Sequence, residues 1–265
     1  MSTQARPWAR VRFGQLWVDA VTFAQALDEI ERLVQQGQGG SVFTPNVDHV
    51  VKVDGDPGFR AAYERCSLSL ADGQPVVWAS RLLGQGARLP EKVSGSDLVF
   101  PLMERAGQRG WKVYFCGGPP GVADAAAEVV RKKYGVNIVG TESPRVALTA
   151  TPEDEAIAAR VRASGAQLLL VGFGAPKQEL FIERCRDKVG PAVALGIGAS
   201  LDFMAGRVPR APRWMSKSGL EWLYRLGKEP RRLWRRYLVD DPKFLLILWR
   251  TMRAPVEQRV LPPGT

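Results

Sequence analysis

The chain has 265 residues, of which 45% are hydrophobic, and a net charge of +10. This composition favours a globular core, in one large domain or in one domain with an appendage. The three cysteines, Cys66, Cys116 and Cys185, are far apart in the sequence, which argues against a disulfide framework or a zinc site. The N-terminal sequence lacks the apolar core of a signal peptide, and the C-terminal apolar run 244–249 is far shorter than the roughly 20 residues that span a bilayer. We therefore expect a cytoplasmic protein.

The positive charge is concentrated in the last quarter of the chain. Residues 205–265 contain 14 Lys and Arg but only 5 Asp and Glu, and so carry +9 of the net charge. Four of the eight tryptophans, Trp214, Trp222, Trp234 and Trp249, also belong to this segment. The distribution predicts a nearly neutral body, residues 1–205, followed by a basic, aromatic, helical appendage, residues 206–265.

The body alternates short apolar runs with amphipathic segments. The pattern predicts strands at residues 41–44, 112–116, 137–140, 167–171 and 192–197, and helices at residues 22–35, 58–65, 75–83, 122–133 and 152–164. Such alternation predicts an α/β fold with a mostly parallel sheet and helices on both faces. In such sheets, ligands bind beyond the carboxyl ends of the strands.

The segment Val171–Leu180, VGFGAPKQEL, lies where a predicted strand meets a predicted helix. Such a junction directs backbone N–H groups and the positive end of a helix dipole at a crevice, where a phosphate fits. Lys177 would add a charge, and Gln178 and Glu179 would add groups able to hold sugar hydroxyls. Alternatively, Gly172 and its neighbours only form an ordinary turn, and the motif alone leaves both possibilities open.

A second glycine-rich turn, CGGPPG, follows the strand predicted at residues 112–116. Gly117 and Gly118 either cradle a phosphate or form a turn in which proline leads into the next helix, and we slightly favour the turn. The sequence has neither a dinucleotide fingerprint nor a P-loop. The only histidine, His49, has no second histidine with which to share a metal.

Two acidic motifs each have two interpretations. Asp54-Gly55-Asp56 has the form that holds a metal on a sugar-nucleotide diphosphate, but Asp56-Pro57 is typical of a helix N-cap, which we favour. Asp72 precedes Gly73 at the end of an apolar run. It either faces a ligand crevice as a base whose pKa is raised by partial burial, or caps the next helix. Spacing alone favours the cap.

Nine motifs occur together in one order. They are TPNVDH (44–49), ADGQP (71–75), VSGSDL (93–98), GGPPGVA (117–123), VGFGAPKQE (171–179), GIGASLDFMAG (196–206), RAPRWM (210–215), GLEWLYRL (219–226) and EPRRLWRRY (229–237). Together they resemble the WecG/TagA/CpsF glycosyltransferase family over residues 13–237. The resemblance implies inverting transfer of a sugar from a UDP-sugar to a polyprenyl-diphosphate-linked saccharide in surface polysaccharide biosynthesis. It also implies a Rossmann-like core whose C-terminal appendage docks on the membrane and closes the site.

The resemblance implies roles for individual residues. It places the catalytic base on Asp72, acceptor- and donor-site residues on Thr44 and Asn46, and a substrate-binding glutamine on Gln178. Family members often have Arg at the position of Lys92, which keeps the charge without the bidentate contact. The donor that it implies is UDP-N-acetylmannosamine or its uronic acid, and the alternative is UDP-glucose.

Departure of UDP builds negative charge on its diphosphate, which cations, helix N-termini or a metal can balance. Because the sequence has no convincing metal cluster, we expect no cofactor and no metal requirement. Backbone N–H groups and arginines of the appendage then take this role. The candidate arginines are Arg210, Arg213, Arg225, Arg231 and Arg232.

The appendage repeats Leu and Trp among arginines at helical spacing, in residues 220–226 and 233–238, and a further helix is predicted at residues 244–253. Basic amphipathic helices lie in the membrane interface, held by apolar insertion and by anionic lipid. We therefore expect a peripheral protein on the inner face of the cell membrane. The alternatives are a basic solvated face packed on the body, or a nucleic-acid-binding protein, which would leave Asp72 without a role. The sequence does not predict the oligomeric state.

Overall fold

The structure is a computed structural model that describes residues 6–84, 86, 88–208, 211–212, 215 and 218–264, with only the backbone of residue 232. Its strands are β1 (Arg10–Phe13), β2 (Leu16–Asp19), β3 (Gly40–Phe43), β4 (Leu68–Ser69), β5 (Lys112–Gly117), β6 (Asn137–Glu142), β7 (Leu168–Gly172), β8 (Val193–Gly196) and β9 (Val260–Leu261). Its longer helices are α1 (Phe23–Gln36), α2 (Val47–Gly55), α3 (Pro57–Glu64), α4 (Gln74–Leu82), α5 (Gly95–Arg109), α6 (Val122–Tyr134), α7 (Pro152–Ser164) and α8 (Lys177–Cys185). They are followed by α9 (Ser200–Met204), α10 (Glu221–Lys228), α11 (Pro230–Arg235), a π-helical turn (Arg236–Asp240), α12 (Lys243–Arg253) and α13 (Val256–Arg259).

A six-stranded parallel sheet with the order β4-β3-β8-β7-β5-β6 forms the centre of the fold. Successive side chains of a strand point to opposite faces, so that Leu168 and Leu170 of β7 pack in one apolar cluster and Leu169 and Val171 in the other. Helices α2, α3, α7 and α8 supply residues to one cluster, and α1, α5, α6 and α9 to the other. The predicted α/β fold, with helices on both faces of a parallel sheet, is confirmed.

Helix boundaries follow local capping. The Asp56 carboxylate accepts hydrogen bonds from the backbone N–H groups of Gly58 at 2.9 Å and Phe59 at 3.0 Å, and Pro57 occupies the first turn of α3. Asp56 therefore caps α3, as the favoured interpretation predicted. The other residue of that motif, Asp54, pairs with Arg250 of α12.

The sequence patterns missed a small antiparallel sheet with the order β2-β1-β9. Strand β9 pairs with β1 through Arg10 opposite Leu261, so that the end of the described chain returns to its beginning. Helix α12 also packs on the body, with Phe244 and Ile247 buried. The predicted boundary between body and appendage at residue 205 stays a prediction, but the residues from α12 onward pack on the body.

The strand order positions a crevice at one edge of the sheet. Neighbouring strands β3 and β8 lead into α2 and α9, which supply residues to opposite apolar clusters. Chains that leave adjacent parallel strands in opposite directions separate and open a crevice beyond the carboxyl ends. Within the described ranges, no helix is long and apolar enough to cross a bilayer.

Candidate active site

A cleft of about 600 Å³ lies beyond the carboxyl ends of β3, β5, β7 and β8. The loops after these strands form its floor, and the appendage contributes residues from α10, α11 and the π-helical turn. Its lining includes Thr44, Asn46, His49, Asp72, Gly118, Gly172, Lys177, Gln178, Asp202, Arg225, Arg236 and Tyr237. Of the residues proposed from the sequence, the structure therefore brings Thr44, Asn46, Asp72, Gly118, Gly172, Lys177, Gln178 and Arg225 together.

The glycines let the strand ends approach one another at the floor of the cleft. A Cβ atom on Gly117 would lie 2.6 Å from the carbonyl carbon and oxygen of Gly172, so that no larger residue fits there. Gly118 has a φ of +74°, and its N–H donates to the Gly172 carbonyl at 3.0 Å. Gly117 thus packs between β5 and β7 and is not one of the residues that line the cleft, so that its role in substrate binding stays a prediction.

Asp72 occupies a loop that is held on both sides. Its own N–H donates to the carbonyl of Pro45 at 2.8 Å, and the N–H of Val93 donates to the carbonyl of Ala71 at 2.8 Å. Helix α4 begins after Gly73 without a side-chain cap, so that the interpretation of Asp72 as a helix cap is wrong. The Asp72 side chain instead faces the cleft.

The surroundings of Asp72 make it a stronger base than an ordinary aspartate. Burial raises the pKa of Asp72 from 3.8 to about 6, and the negative charge of Glu221 acts in the same direction. The cations Arg225 and Lys92 partly offset this shift of the Asp72 pKa. A carboxylate with a pKa near 6 is still ionised at neutral pH and accepts a proton readily.

The appendage meets the body beside Asp72 through a charged contact that sequence reasoning missed. Glu221 of α10 binds the guanidinium of Arg225 one turn later, and its carboxylate lies 3.9 Å from the Lys92 ammonium. Lys92 also lies 3.0 Å from Asp97 of α5. Lys92 is thus placed beside the cleft and linked to the appendage, although it is not one of the residues that line the cleft wall.

A second cation of the appendage reaches the cleft from the π-helical turn. The Arg236 guanidinium donates to the side-chain oxygen of Asn46 at 3.1 Å, and its Nε lies 3.7 Å from a carboxylate oxygen of Asp48. The next residue, Tyr237, also lines the cleft. The sequence pattern placed Arg236 on an amphipathic helix but did not select it as a site residue.

The other candidate arginines of the appendage are not placed in the cleft. Arg231 is exposed on α11 and is not a residue of the cleft wall. Arg210 and Arg213 lie outside the described residues, as does the side chain of Arg232.

The GAPKQE motif forms the predicted strand-to-helix junction, in which Lys177 is the first residue of α8. Gln178 is engaged at both ends of its amide: its oxygen accepts from the Gly198 N–H at 2.9 Å, and its nitrogen donates to Glu179 at 2.8 Å. Glu179 has only 1% of its surface exposed and lies behind the cleft wall. The expectation that Glu179 holds a sugar hydroxyl is therefore wrong.

The sequence model of the Glycosyl transferase WecG/TagA/CpsF family matches residues 11–258. The match spans nearly the whole chain, including the strands that form the cleft and the appendage helices above it. The chain belongs to this family. The protein is therefore a glycosyltransferase, and its activity requires a sugar donor and an acceptor.

This glycosyltransferase exposes large apolar side chains on the helices of its appendage. The exposed residues are Trp222 and Leu223 of α10, Trp234 of α11, Leu238 and Val239 of the π-helical turn, and Leu245, Leu246, Trp249 and Met252 of α12. On α12 their spacing places them along one side of the helix, opposite the side that packs on the body. The guanidinium of Arg253 stacks on the Trp249 ring at 3.8 Å, which keeps a cation among these apolar groups.

Proposed function

We propose that the enzyme transfers a sugar, with inversion, from a UDP-sugar to a polyprenyl-diphosphate-linked saccharide of surface polysaccharide biosynthesis. The observation that carries the proposal is the position of Asp72, a carboxylate of raised pKa in a cleft that Lys177, Arg225 and Arg236 also line. A base and several cations in one cleft match the two needs of this reaction. These are removal of a proton from the acceptor and stabilisation of the departing diphosphate.

In this proposal Asp72 activates the acceptor hydroxyl. The Asp72 carboxylate takes the hydroxyl proton while the acceptor oxygen forms a bond to the anomeric carbon of the donor sugar. The bond from that carbon to the UDP oxygen breaks at the same time, and its electron pair leaves with the diphosphate. Attack from the face opposite the leaving group inverts the anomeric centre, and one base is sufficient.

We propose that Arg225 and Arg236 stabilise the departing diphosphate, together with Lys177 and the N–H groups at the start of α8. Cations and helix N-termini that face a developing anion lower the barrier without a proton transfer. Thr44 and Asn46 then hold hydroxyl or phosphate oxygens of the substrates from the end of β3. We expect no metal requirement, because Asp56 caps α3 and Asp54 pairs with Arg250.

We propose that the appendage docks on an anionic membrane, where a polyprenyl acceptor resides. The support is the set of exposed Trp and Leu side chains among arginines, which suits the interface between headgroups and acyl chains. Replacing Leu246 and Trp249 with Ser should release much of the protein from vesicles that contain phosphatidylglycerol in a flotation assay. Leu148→Ser is the matched control, because Leu148 is a similarly exposed apolar residue of the body. Equal binding by both variants would place the contact elsewhere.

The reaction class is tested by UDP release from a panel that contains UDP-N-acetylmannosamine, its uronic acid and UDP-glucose. The acceptor is a short-chain polyprenyl-diphosphate saccharide, and parallel reactions contain EDTA. We expect acceptor-dependent release from one donor, with no change in EDTA. Loss of release in EDTA would contradict the metal-free mechanism, and failure to bind UDP would contradict the donor class.

A further inference from the structure

A row of polar side chains connects α8 to the start of α2, and of its members Gln178, His49 and Asn46 line the cleft whereas Glu179 does not. The Gln178 amide donates to Glu179 Oε1 at 2.8 Å, and the same oxygen lies 3.4 Å from Nε2 of His49. Nδ1 of His49 lies 2.8 Å from the side-chain oxygen of Asn46. Glu179 and His49 are 1% and 6% exposed, so that water does not compete for these contacts.

Three contacts fix the orientation of the Asn46 amide. Its Oδ1 is approached by the backbone N–H of Asp48 at 3.1 Å, by the Arg236 guanidinium at 3.1 Å and by Nδ1 of His49. The first two groups can only donate, so that the atom they approach must be the oxygen. The Asn46 amide therefore has its N–H₂ group, and not its carbonyl, available to a molecule in the cleft.

The same contacts bear on the protons of the His49 ring. Nδ1 lies 2.8 Å from Asn46 Oδ1 and 3.3 Å from the backbone N–H of Asn46. Because Asn46 Oδ1 can only accept, the shorter contact requires a proton on Nδ1. Glu179 Oε1, 3.4 Å from Nε2, can also only accept, so that the carboxylate holds the far side of the ring when Nε2 carries a proton as well and the imidazole is charged. The rings of Phe59 and Tyr63 from α3 pack on the imidazole at 5.9 and 6.3 Å between centroids and prevent it from turning.

Glu179 is also linked, through Gln178, to the loop after β8. Through Gln178 it fixes the amide that accepts the N–H of Gly198, in the loop after β8. Its second oxygen, Oε2, is buried and makes no hydrogen bond within the described part of the chain. A buried carboxylate that is only partly satisfied is unfavourable for folding, and its retention beside a cleft points to a functional role.

We propose that Glu179 and His49 are positioning residues that hold the Asn46 amide as a hydrogen-bond donor toward a substrate oxygen. Glu179 fixes His49, His49 fixes the Asn46 oxygen, and the Asn46 N–H₂ group binds a phosphate or sugar oxygen. This inference rests on the proposed function, since it assigns a task to Asn46 in the same cleft. It adds two buried residues to the groups that determine the rate, and of these only His49 lines the cleft.

Imidazole ¹⁵N NMR tests the contacts of His49 without any substrate. Its signals report on one residue, because His49 is the only histidine. With any affinity tag removed, we expect protons on both ring nitrogens in the wild-type protein, because the contacts with Asn46 and Glu179 each require one. Neutral imidazole carries a single proton, which in water is mainly on Nε2, so the result is not trivial. In Asn46→Ala the acceptor of the Nδ1 proton is lost, and the Nδ1 signal should shift. A wild-type spectrum with an unprotonated Nδ1 would overturn the proposed chain of contacts.

A double-mutant cycle tests whether Glu179 affects catalysis through Asn46. If Glu179 acts through Asn46, then Glu179→Gln and Asn46→Ala should each lower kcat/KM by about tenfold, as expected for one lost hydrogen bond. The double variant should be less than about twofold worse than Asn46→Ala alone, because coupled residues are not additive. Multiplication of the two single effects would overturn the inference. His49→Phe, which keeps the packed ring, replaces Glu179→Gln in the cycle if that variant does not fold.

Tyr63→Phe is the matched control for both measurements. It removes a buried hydroxyl without a partner in the described structure, close to Glu179, but leaves the three contacts intact. We expect wild-type kinetics and an unchanged ¹⁵N spectrum, and a loss as large as that of Glu179→Gln would overturn the specific role of Glu179. If the wild-type enzyme releases UDP from no donor, the proposed function fails, while the NMR result still decides the contacts of His49.

Discussion

Replacing Asp72 with Asn should stabilise the protein at neutral pH while it removes the base. The pKa of Asp72 is raised from 3.8 to about 6, mainly by burial and by Glu221. The folded state therefore binds the Asp72 proton more tightly than the unfolded state does. As the pH rises from about 4 to about 6, the unfolded chain loses this proton first, so that the free energy of unfolding falls across this window.

The size of this effect follows from the pKa values. A difference of about two pKa units, at roughly 1.4 kcal/mol per unit, gives up to about 3 kcal/mol of destabilisation above pH 6. Asn keeps the size of the side chain but cannot ionise, so that Asp72→Asn should recover a large part of this free energy at pH 7.5. At pH 4 the side chain is neutral in both folded proteins and partly ionised in the unfolded wild-type chain, so that the difference in stability should shrink to about 0.5 kcal/mol.

The assay is urea unfolding of both proteins at pH 4 and pH 7.5, followed by tryptophan fluorescence. We expect the difference in the unfolding midpoint between variant and wild type to be positive at pH 7.5 and several times smaller near pH 4, with equal slopes. A variant that is no more stable than the wild type at pH 7.5 would refute the argument that Asp72 is a desolvated carboxylate. A gain of equal size at both pH values would assign the effect to packing instead of to charge.

The same electrostatics predicts kinetic results. As the pH falls, kcat/KM should decrease with an apparent pKa near 6, to about a tenth of its plateau value at pH 5. Glu221→Gln should move this decrease to lower pH, because it removes a negative charge that raises the Asp72 pKa. An unchanged pH profile would contradict the contact between α10 and Asp72. Arg225→Ala should lower kcat by about a hundredfold or more, as expected for loss of a group that stabilises the leaving anion. Its matched control, Arg231→Ala, removes an exposed arginine outside the cleft wall and should leave kcat within about twofold. Equal losses of kcat in the two arginine variants would mean that the net charge of the protein, and not the position of Arg225 in the cleft, determines kcat.

Much of the fold could be predicted because its signals are local. Helix α7 begins and ends where the sequence pattern placed it, at residues 152 and 164, since Pro152 opens the helix and Gly165 ends it with a φ of +66°. Five of the six parallel strands are short apolar runs that were predicted within one or two residues of their bounds, and the sixth, β4 (Leu68–Ser69), was not predicted. Such features depend on neighbours in the sequence.

The missed elements depend on distant contacts or contain residues that break the usual pattern. Strand β9 has only two residues and exists because β1, some 250 positions earlier, offers a free edge. Helix α5 begins with Gly95 and contains Pro101, both of which are unfavourable in helix interiors, so that its apolar pattern was not assigned. Tertiary packing compensates, since Leu98 and Leu102 of α5 are buried.

In the candidate site, too, residues within local motifs could be predicted from the sequence, and residues placed by distant contacts could not. Motifs at strand ends predicted seven residues that line the cleft, because the carboxyl ends of parallel strands share one edge; they are Thr44, Asn46, Asp72, Gly118, Gly172, Lys177 and Gln178. His49, Glu221 and Arg236 were not selected, since each acquires its position from an element distant in the sequence. Glu179 was misjudged because a polar residue at a helix N-terminus is usually exposed, whereas α8 turns this face onto α2 and α3.

The central claim is that Asp72 activates the acceptor in a transfer from UDP-sugar. The most direct measurement compares acceptor-dependent UDP release by the wild-type enzyme and Asp72→Asn, with UDP binding to both proteins measured by calorimetry. Loss of a general base predicts a fall in turnover of about 10²-fold to 10⁴-fold, with unchanged affinity for UDP. Wild-type turnover by Asp72→Asn, or its loss in Asp202→Asn instead, would contradict the account, since Asp202 is another carboxylate that lines the cleft.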